Sequence, residues 1–230
     1  MTASVALTFD DLFVDSWLAA RPLFDEFGAR VTFCICKLHK ATEAQVAGLH
    51  TLQADGHEIA YHTRTHPRLI EYLEKHGLDR WLEDEIDRGI AEHRAMGFPA
   101  RSFASPFHRS TPKSRAATAE RFAVTRSLGP ASARKRNLRN RIYGDLGPDK
   151  TVDCIGFCDF ALPAFRGWDW QMALLDIIAE EGGTGVFCGH DIRSKPGRSK
   201  FCSTPEDMHR FLAAVTERGL GFKTLSEVGA

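Results

Sequence analysis

No stretch of the sequence approaches the ~20 apolar residues that a membrane-spanning helix needs. Net charge is missing too: Lys plus Arg and Asp plus Glu stand at 30 each, so no bulk field recruits nucleic acid or anionic membrane. Cysteine is sparse, and neither Cys34-Ile35-Cys36 nor Cys154-x-x-x-Cys158 has the CxxC spacing of a zinc or thioredoxin-like pair. Cys34, Cys36 and Cys188 lie in apolar, strand-like runs and are expected as small buried hydrophobes. Met1 to Asp11 has no basic segment leading into a hydrophobic stretch, so it reads as a strand rather than a signal peptide, and the expected location is cytoplasmic.

What is present is alternation. Apolar, β-branched runs at Ser4–Phe9, Arg30–Cys36, His57–Tyr61, Ser102–Ala104, Phe122–Arg126, Val152–Phe157, Thr184–Cys188 and Gly221–Thr224 read as strands. Between them come helical stripes: Phe13 to Phe27 with Pro22 restarting the helix, Thr42 to Ala54 with Thr42 as N-cap, Leu78 to His93, Trp170 to Ile178, and Met208 to Val215. Strand and helix alternating along a whole chain argue for parallel strands with helices outside. About seven such units predict a closed or nearly closed barrel, one domain over residues 1–230, rather than an open sheet. The stretch from Gly129 to Lys150, with Arg134-Lys135-Arg136 and Arg139-Asn140-Arg141, reads as a solvated loop. An anion-gripping loop is its alternative. No aromatics interleave those arginines, which leaves nucleic-acid binding unsupported.

Barrel chemistry gathers at the carboxyl ends of the strands. Asp10-Asp11 ends the first strand, His62 and His66 follow the third, Pro106-Phe107-His108 follows a later one, and His190-Asp191 follows Thr184–Cys188. Two imidazoles and a carboxylate make a usual set of donors for zinc or a related divalent ion. His62 and His66 would share a face of a helix, but Pro67 disfavours helix at His66, so a looser turn is equally open. His57-Glu58 with His62 is not the HExxH of zincins, and His57 reads as structural. Two adjacent acids in a strand point to opposite faces, so Asp10 and Asp11 cannot share one task unless the chain bends there.

Three ordered segments, Thr8-Phe9-Asp10-Asp11, His62-Thr63-Arg64-Thr65-His66 and Gly185-Val186-Phe187-Cys188-Gly189-His190-Asp191, resemble motifs of the polysaccharide deacetylases, carbohydrate esterase family 4. The run Gly56 to His62 is also similar to that family's approach to its second motif. The resemblance implies a distorted (β/α)7-type barrel, an N-deacetylase acting on an amino-sugar or other carbohydrate substrate, and a divalent metal: zinc first, with cobalt, nickel or manganese as alternatives. It makes Asp11, His62 and His66 the metal ligands, Asp10 the base and His190 the acid. Phe107 would help hold the oxyanion through its N–H, with His108, Trp170 and Arg166 lining the substrate.

The sequence also departs from the family pattern. The third motif reads Ala104-Ser105-Pro106-Phe107-His108, where the family has arginine first and glycine last. Cys188 replaces a leucine, and the fourth-motif acid is either Asp159 or Asp169. A methyl group cannot hold a carboxylate, so another guanidinium is expected beside Asp10, with Arg166 preferred and Arg109 second. These departures leave open hydrolysis of another C–N amide or cyclic ureide, or of an O-acyl ester, on the same fold. A module that binds carbohydrate without turnover is a further alternative, which the retention of Asp10 and His190 opposes.

Overall fold

The computed structural model describes residues 3–127, 142–148, 150–156, 168–194 and 201–229. Strands β1 (Ser4–Asp11), β2 (Thr32–Ile35), β3 (Glu58–Tyr61), β4 (Ser102–Ala104) and β5 (Val124–Arg126) pair side by side in parallel. Short β6 (Ile142–Tyr143) runs antiparallel along one end of β9 (Thr184–Gly189), which pairs with β1. Strands β7 (Thr151–Val152) and β8 (Ile155–Gly156) close the figure: β7 pairs with β5, and β8 pairs with β9. The sheet thereby curls into a nearly closed, mainly parallel barrel, as the alternation predicts. A separate parallel pair, β10 (Asp191–Ile192) with β11 (Cys202–Ser203), lies beyond β9, and β12 (Gly221–Lys223) pairs with the start of β1.

Helices α1 (Val14–Ala19), α2 (Arg21–Glu26) and α3 (Glu43–Ala54) follow β1 and β2, and α4 (Leu69–Trp81) and α5 (Arg88–Ala95) follow β3. Then come α6 (Pro112–Ala119), α7 (Trp168–Glu181) and α8 (Pro205–Glu217). Pro22 sits in the first turn of α2, where its missing N–H is harmless, so the helix restarts there as expected. Thr42 caps α3 in a capping box with Gln45. The stripe from Leu78 begins earlier than read: α4 starts at Leu69, breaks at Gly77, and passes through a π-helical turn, Leu82–Asp87, into α5. Strand β6 falls within the stretch read as a loop, and the one strand expected over Val152–Phe157 is two, β7 and β8. Strands β10 and β11 and helix α6 are additions, each too short or too polar to show a period. Among the described residues no helix is long and apolar enough to cross a membrane.

The pleat sorts side chains by parity. Val5, Leu7, Phe9, Phe33, Ile35, Ile59 and Phe187 face outward into the helix layer. Ala6, Cys34, Ala60, Ala104, Val124, Val186 and Cys188 face inward, and their small volumes let a narrow barrel fill. One end of that interior is sealed, because the N–H of Leu225 donates to Thr32 Oγ1 (2.8 Å) and that of Ser226 to Glu58 Oε2 (2.9 Å). The chemistry collects at the other.

Candidate active site

The same parity carries Asp10, His62, Arg126 and His190 to the carboxyl-terminal rim, one step above the small inward residues. Asp10 is 3% exposed and continues the pleat into the barrel. Asp11 leaves it: its φ is 81°, a left-handed conformation rare for a side chain with a Cβ. The bend required for two neighbouring acids to serve one centre is present, and Asp11 turns toward His66, whose Nε2 is 3.6 Å from Asp11 Oδ1.

His62 and His66 are joined by a turn, not a helix. His66 has φ 63° and its N–H donates to Thr63 Oγ1 at 3.1 Å, so of the two geometries that Pro67 leaves open the chain adopts the turn. His62 Nδ1 donates to the carbonyl of Ala104 (2.7 Å), which fixes the tautomer and presents Nε2 with its lone pair to the site. Burial pushes the His62 imidazole down to about 4 and lowers His66 as well, with the neighbouring acids opposing both shifts. Both rings are therefore neutral near pH 7. One donor atom each from Asp11, His62 and His66 lies within 4.8 Å of the others. A carboxylate and two neutral imidazoles at that spacing fit a zinc-like cation.

Asp10 is held by Arg126, which is fully buried and donates from Nη2 to Asp10 Oδ1. Burial raises the Asp10 carboxyl, but the Arg126 charge beside it outweighs that and holds the group well below the usual carboxylate range. A guanidinium from outside position 104 is expected here, and Arg126 supplies one. Arg109 is exposed on the surface, and Arg166 lies outside the described residues. The register gives the reason: Ala104 on β4 and Arg126 on β5 are direct lateral partners. The arginine sits one strand over at the same height. An arginine ending the apolar run Phe122–Arg126, beside the strand carrying Ala104, was the signal in the sequence.

Other sequence assignments divide. His190 is set by α1, where Trp17 Nε1 donates to its carbonyl at 2.8 Å and Ser16 Oγ donates to Asp191 Oδ1 at 2.6 Å. Its ring lies 5.0 Å from that of Phe201. Phe107 (φ 53°) and His108 (φ 54°) are both left-handed, which explains why glycine suits the second position. The Phe107 ring is exposed, 4.8 Å from His66 and beneath Arg68, while His108 turns inward to Arg126. Asp169 is exposed in the first turn of α7, in a groove shared with His209 and Arg210 of α8. Asp159, Cys158, the Arg134–Arg141 segment and the side chain of Trp170 lie outside the described residues. His57 is structural as read: it is 5% exposed and its Nδ1 accepts from the N–H of Val31.

Glu85 was missed. It is 3% exposed in the π-helical turn and accepts from the Thr65 N–H (2.8 Å) and hydroxyl (2.6 Å), while its carbonyl takes the Tyr61 hydroxyl and the Arg64 N–H. It pins the loop that carries both imidazoles. Glu85→Gln, which retains size but gives up one accepting oxygen, is expected to weaken metal affinity ~10–100-fold without unfolding the chain. Chelator competition on the folded variant checks this, and an unchanged affinity would limit Glu85 to a structural role.

A nearly closed parallel barrel with acids and imidazoles gathered at the carboxyl rim defines an α/β-barrel hydrolase. The polysaccharide deacetylase profile matches residues 2–121, and the chain belongs to that family, hydrolases that remove acyl groups from glycans. Among solved structures it is similar to a family 4 carbohydrate esterase from Streptomyces lividans in complex with acetate. Identity there is 16% over 96% of this chain and 92% of that one, with TM-score 0.58. The catalytic domain of a peptidoglycan N-acetylglucosamine deacetylase from Eubacterium rectale shares 14% over 98% and 89%, TM-score 0.58. A family 4 acetyl xylan esterase from Clostridium thermocellum, in complex with a cobalt ion, shares 16% over 97% and 88%, TM-score 0.59. At such identities the likeness speaks for the fold. No match is found among curated protein sequences.

Proposed function

We propose that the chain, as one catalytic domain over residues 1–230, removes an N-acyl group, foremost acetyl, from an amino sugar or glycan with the help of a divalent metal, most simply zinc. The observation that carries this is the pairing of two sites at one rim: a three-donor cluster of Asp11, His62 and His66, and an ionised Asp10 held by Arg126. A divalent cation held by Asp11, His62 and His66 would acidify water and polarise the acyl carbonyl. Asp10 takes the proton of the attacking water. Arg126 keeps that carboxylate ionised and aimed, while making it a weaker base. The Phe107 N–H, which has no backbone partner among the described residues, is available for the developing oxyanion, and a donor there is worth roughly 3 kcal/mol. His190, protonated, gives its proton to the leaving nitrogen, since an amine leaves poorly without one.

The test joins elemental analysis of the purified chain with acetate release from N-acetylglucosamine oligomers and, as a second arm, from acetylated xylan. Release that stops on chelation and returns with zinc is expected from the amino-sugar arm. His62→Ala should lose metal and turnover together; full metal and full turnover in that variant would overturn the ligand set. Release from xylan alone would move the reaction to O-acyl esters.

A further inference from the structure

The departures from the family pattern, His108, Cys188 and the arginine displaced from position 104, meet at one place. His108, Cys154 and Cys188 each offer a donor atom, and the three lie within 4.8 Å of one another, beside the Asp11 cluster but sharing none of its residues. The Cys154 sulfur is 3.5 Å from His108 Nδ1, and the Cys188 sulfur is 4.0 Å from His108 Nε2. Cys154 and Cys188 are 4% and 2% exposed, so the donors are enclosed, with half-buried His108 on the open side. A positive group already occupies the middle: Arg126 Nη1 is 3.2 Å from His108 Nδ1 and 3.2 Å from the Cys154 sulfur.

We propose that His108, Cys154 and Cys188 form a second, thiophilic metal site, which takes a soft divalent cation of the zinc–cadmium kind in place of the Arg126 N–H. Soft thiolate with imidazole selects such ions over magnesium or calcium. Charge balances: two thiols lose two protons, the two thiolates match the two charges of the cation, and Asp10 and Arg126 remain a matched pair. The neighbouring groups favour one of those deprotonations. The hydrogen bond with Cys188, then the His108 and Arg126 charges, hold the Cys154 thiol low against burial. That same hydrogen bond and burial hold Cys188 high, so its proton leaves only as the cation enters.

Occupancy acts on the reaction through Arg126, because that one guanidinium serves both places, Nη2 on Asp10 and Nη1 on His108 and Cys154. The Cys188 sulfur also contacts Asp10 Oδ2 at 3.6 Å. A cation among the three donors pushes Nη1 aside and disturbs the proposed base. The site is therefore inhibitory, a means by which excess soft metal turns the enzyme down. The effect on turnover rests on Asp10 being the base; the binding of metal does not.

The experiment titrates cadmium into the purified full chain, reduced and holding a single equivalent of zinc, and follows thiolate-to-cadmium charge-transfer absorption together with turnover. Wild type is expected to develop the band as turnover falls by ~10-fold or more, the size of effect seen when a supporting partner of a reactive group is lost. Cys154→Ser and Cys188→Ser should each lose most of the band, and their turnover should change less on adding cadmium, relative to each variant's own cadmium-free rate. His108→Gly, which places glycine at a left-handed position and so tolerates the backbone, supplies a folded comparison with weakened binding. Absence of a thiolate band in wild type, or a band unchanged in both cysteine variants, would overturn the site. A band that forms without loss of turnover would leave the site standing and overturn its inhibitory effect.

Discussion

Arg126→Met is expected to lower unfolding free energy by about 3–5 kcal/mol and turnover ~100-fold, because it strands a buried carboxylate. Asp10 is 3% exposed and Arg126 fully buried, so neither charge has water to fall back on. Replacing a pair of this kind by apolar groups can be harmless, but removing one member is not. The loss has a pH signature. With its carboxyl held below the usual range, Asp10 contributes stability in full above the unfolded value of about 3.9, and the contribution fades as pH falls below it. Wild type and variant should therefore differ most near neutral pH and converge in acid, as denaturant titrations at several pH values would record. The register supplies a sharper check. Because Ala104 and Arg126 are lateral partners, Ala104→Arg in the Arg126→Met background returns a guanidinium at the same height. Partial recovery of turnover in the double variant is expected. No recovery, in a protein that regains stability, would mean that Arg126 does more than hold Asp10.

The second large effect separates the neighbouring acids. Asp10→Asn is expected to retain metal and lose ~10²–10⁴-fold in turnover, the usual range for removing a positioned base. Asp11→Asn should lose metal first and turnover as a consequence. The division follows from backbone: Asp10 obeys the pleat and points at Arg126, whereas Asp11, at φ 81°, turns to His66. Asparagine at Asp10 leaves the Arg126 charge without its counterion, so melting temperature is recorded alongside. Metal lost from Asp10→Asn but retained by Asp11→Asn would reverse the roles.

Local periodicity was enough for the architecture. Ser4–Asp11, Thr32–Ile35 and Ser102–Ala104 are strands because apolar and β-branched residues dominate them, and Pro22 and Thr42 mark helix starts by chemistry confined to a few neighbours. Pro67 left a turn and a helix equally open at His66, and only the folded loop, with His66 at φ 63°, decides for the turn. The order of Asp10-Asp11, His62, His66 and His190 at strand ends brought them to one rim, since parallel strands in a barrel share a direction. Glu85 could not be read in the same way. It lies in an amphipathic stripe as one more acid, and only the packing of the π-helical turn against the loop makes it the anchor of Thr65.

Sequence alone thus determined the barrel, its single chemical rim and the residues collected there, because those depend on spacing along the chain. Tertiary structure decided which arginine meets Asp10. That choice depends on strand register and inward parity between segments distant in sequence, and local propensity contains neither. The same register brings Cys154, Cys188 and His108 together, three residues that read one by one as half of an ill-spaced cysteine pair, a core thiol and a residue standing where the family has glycine.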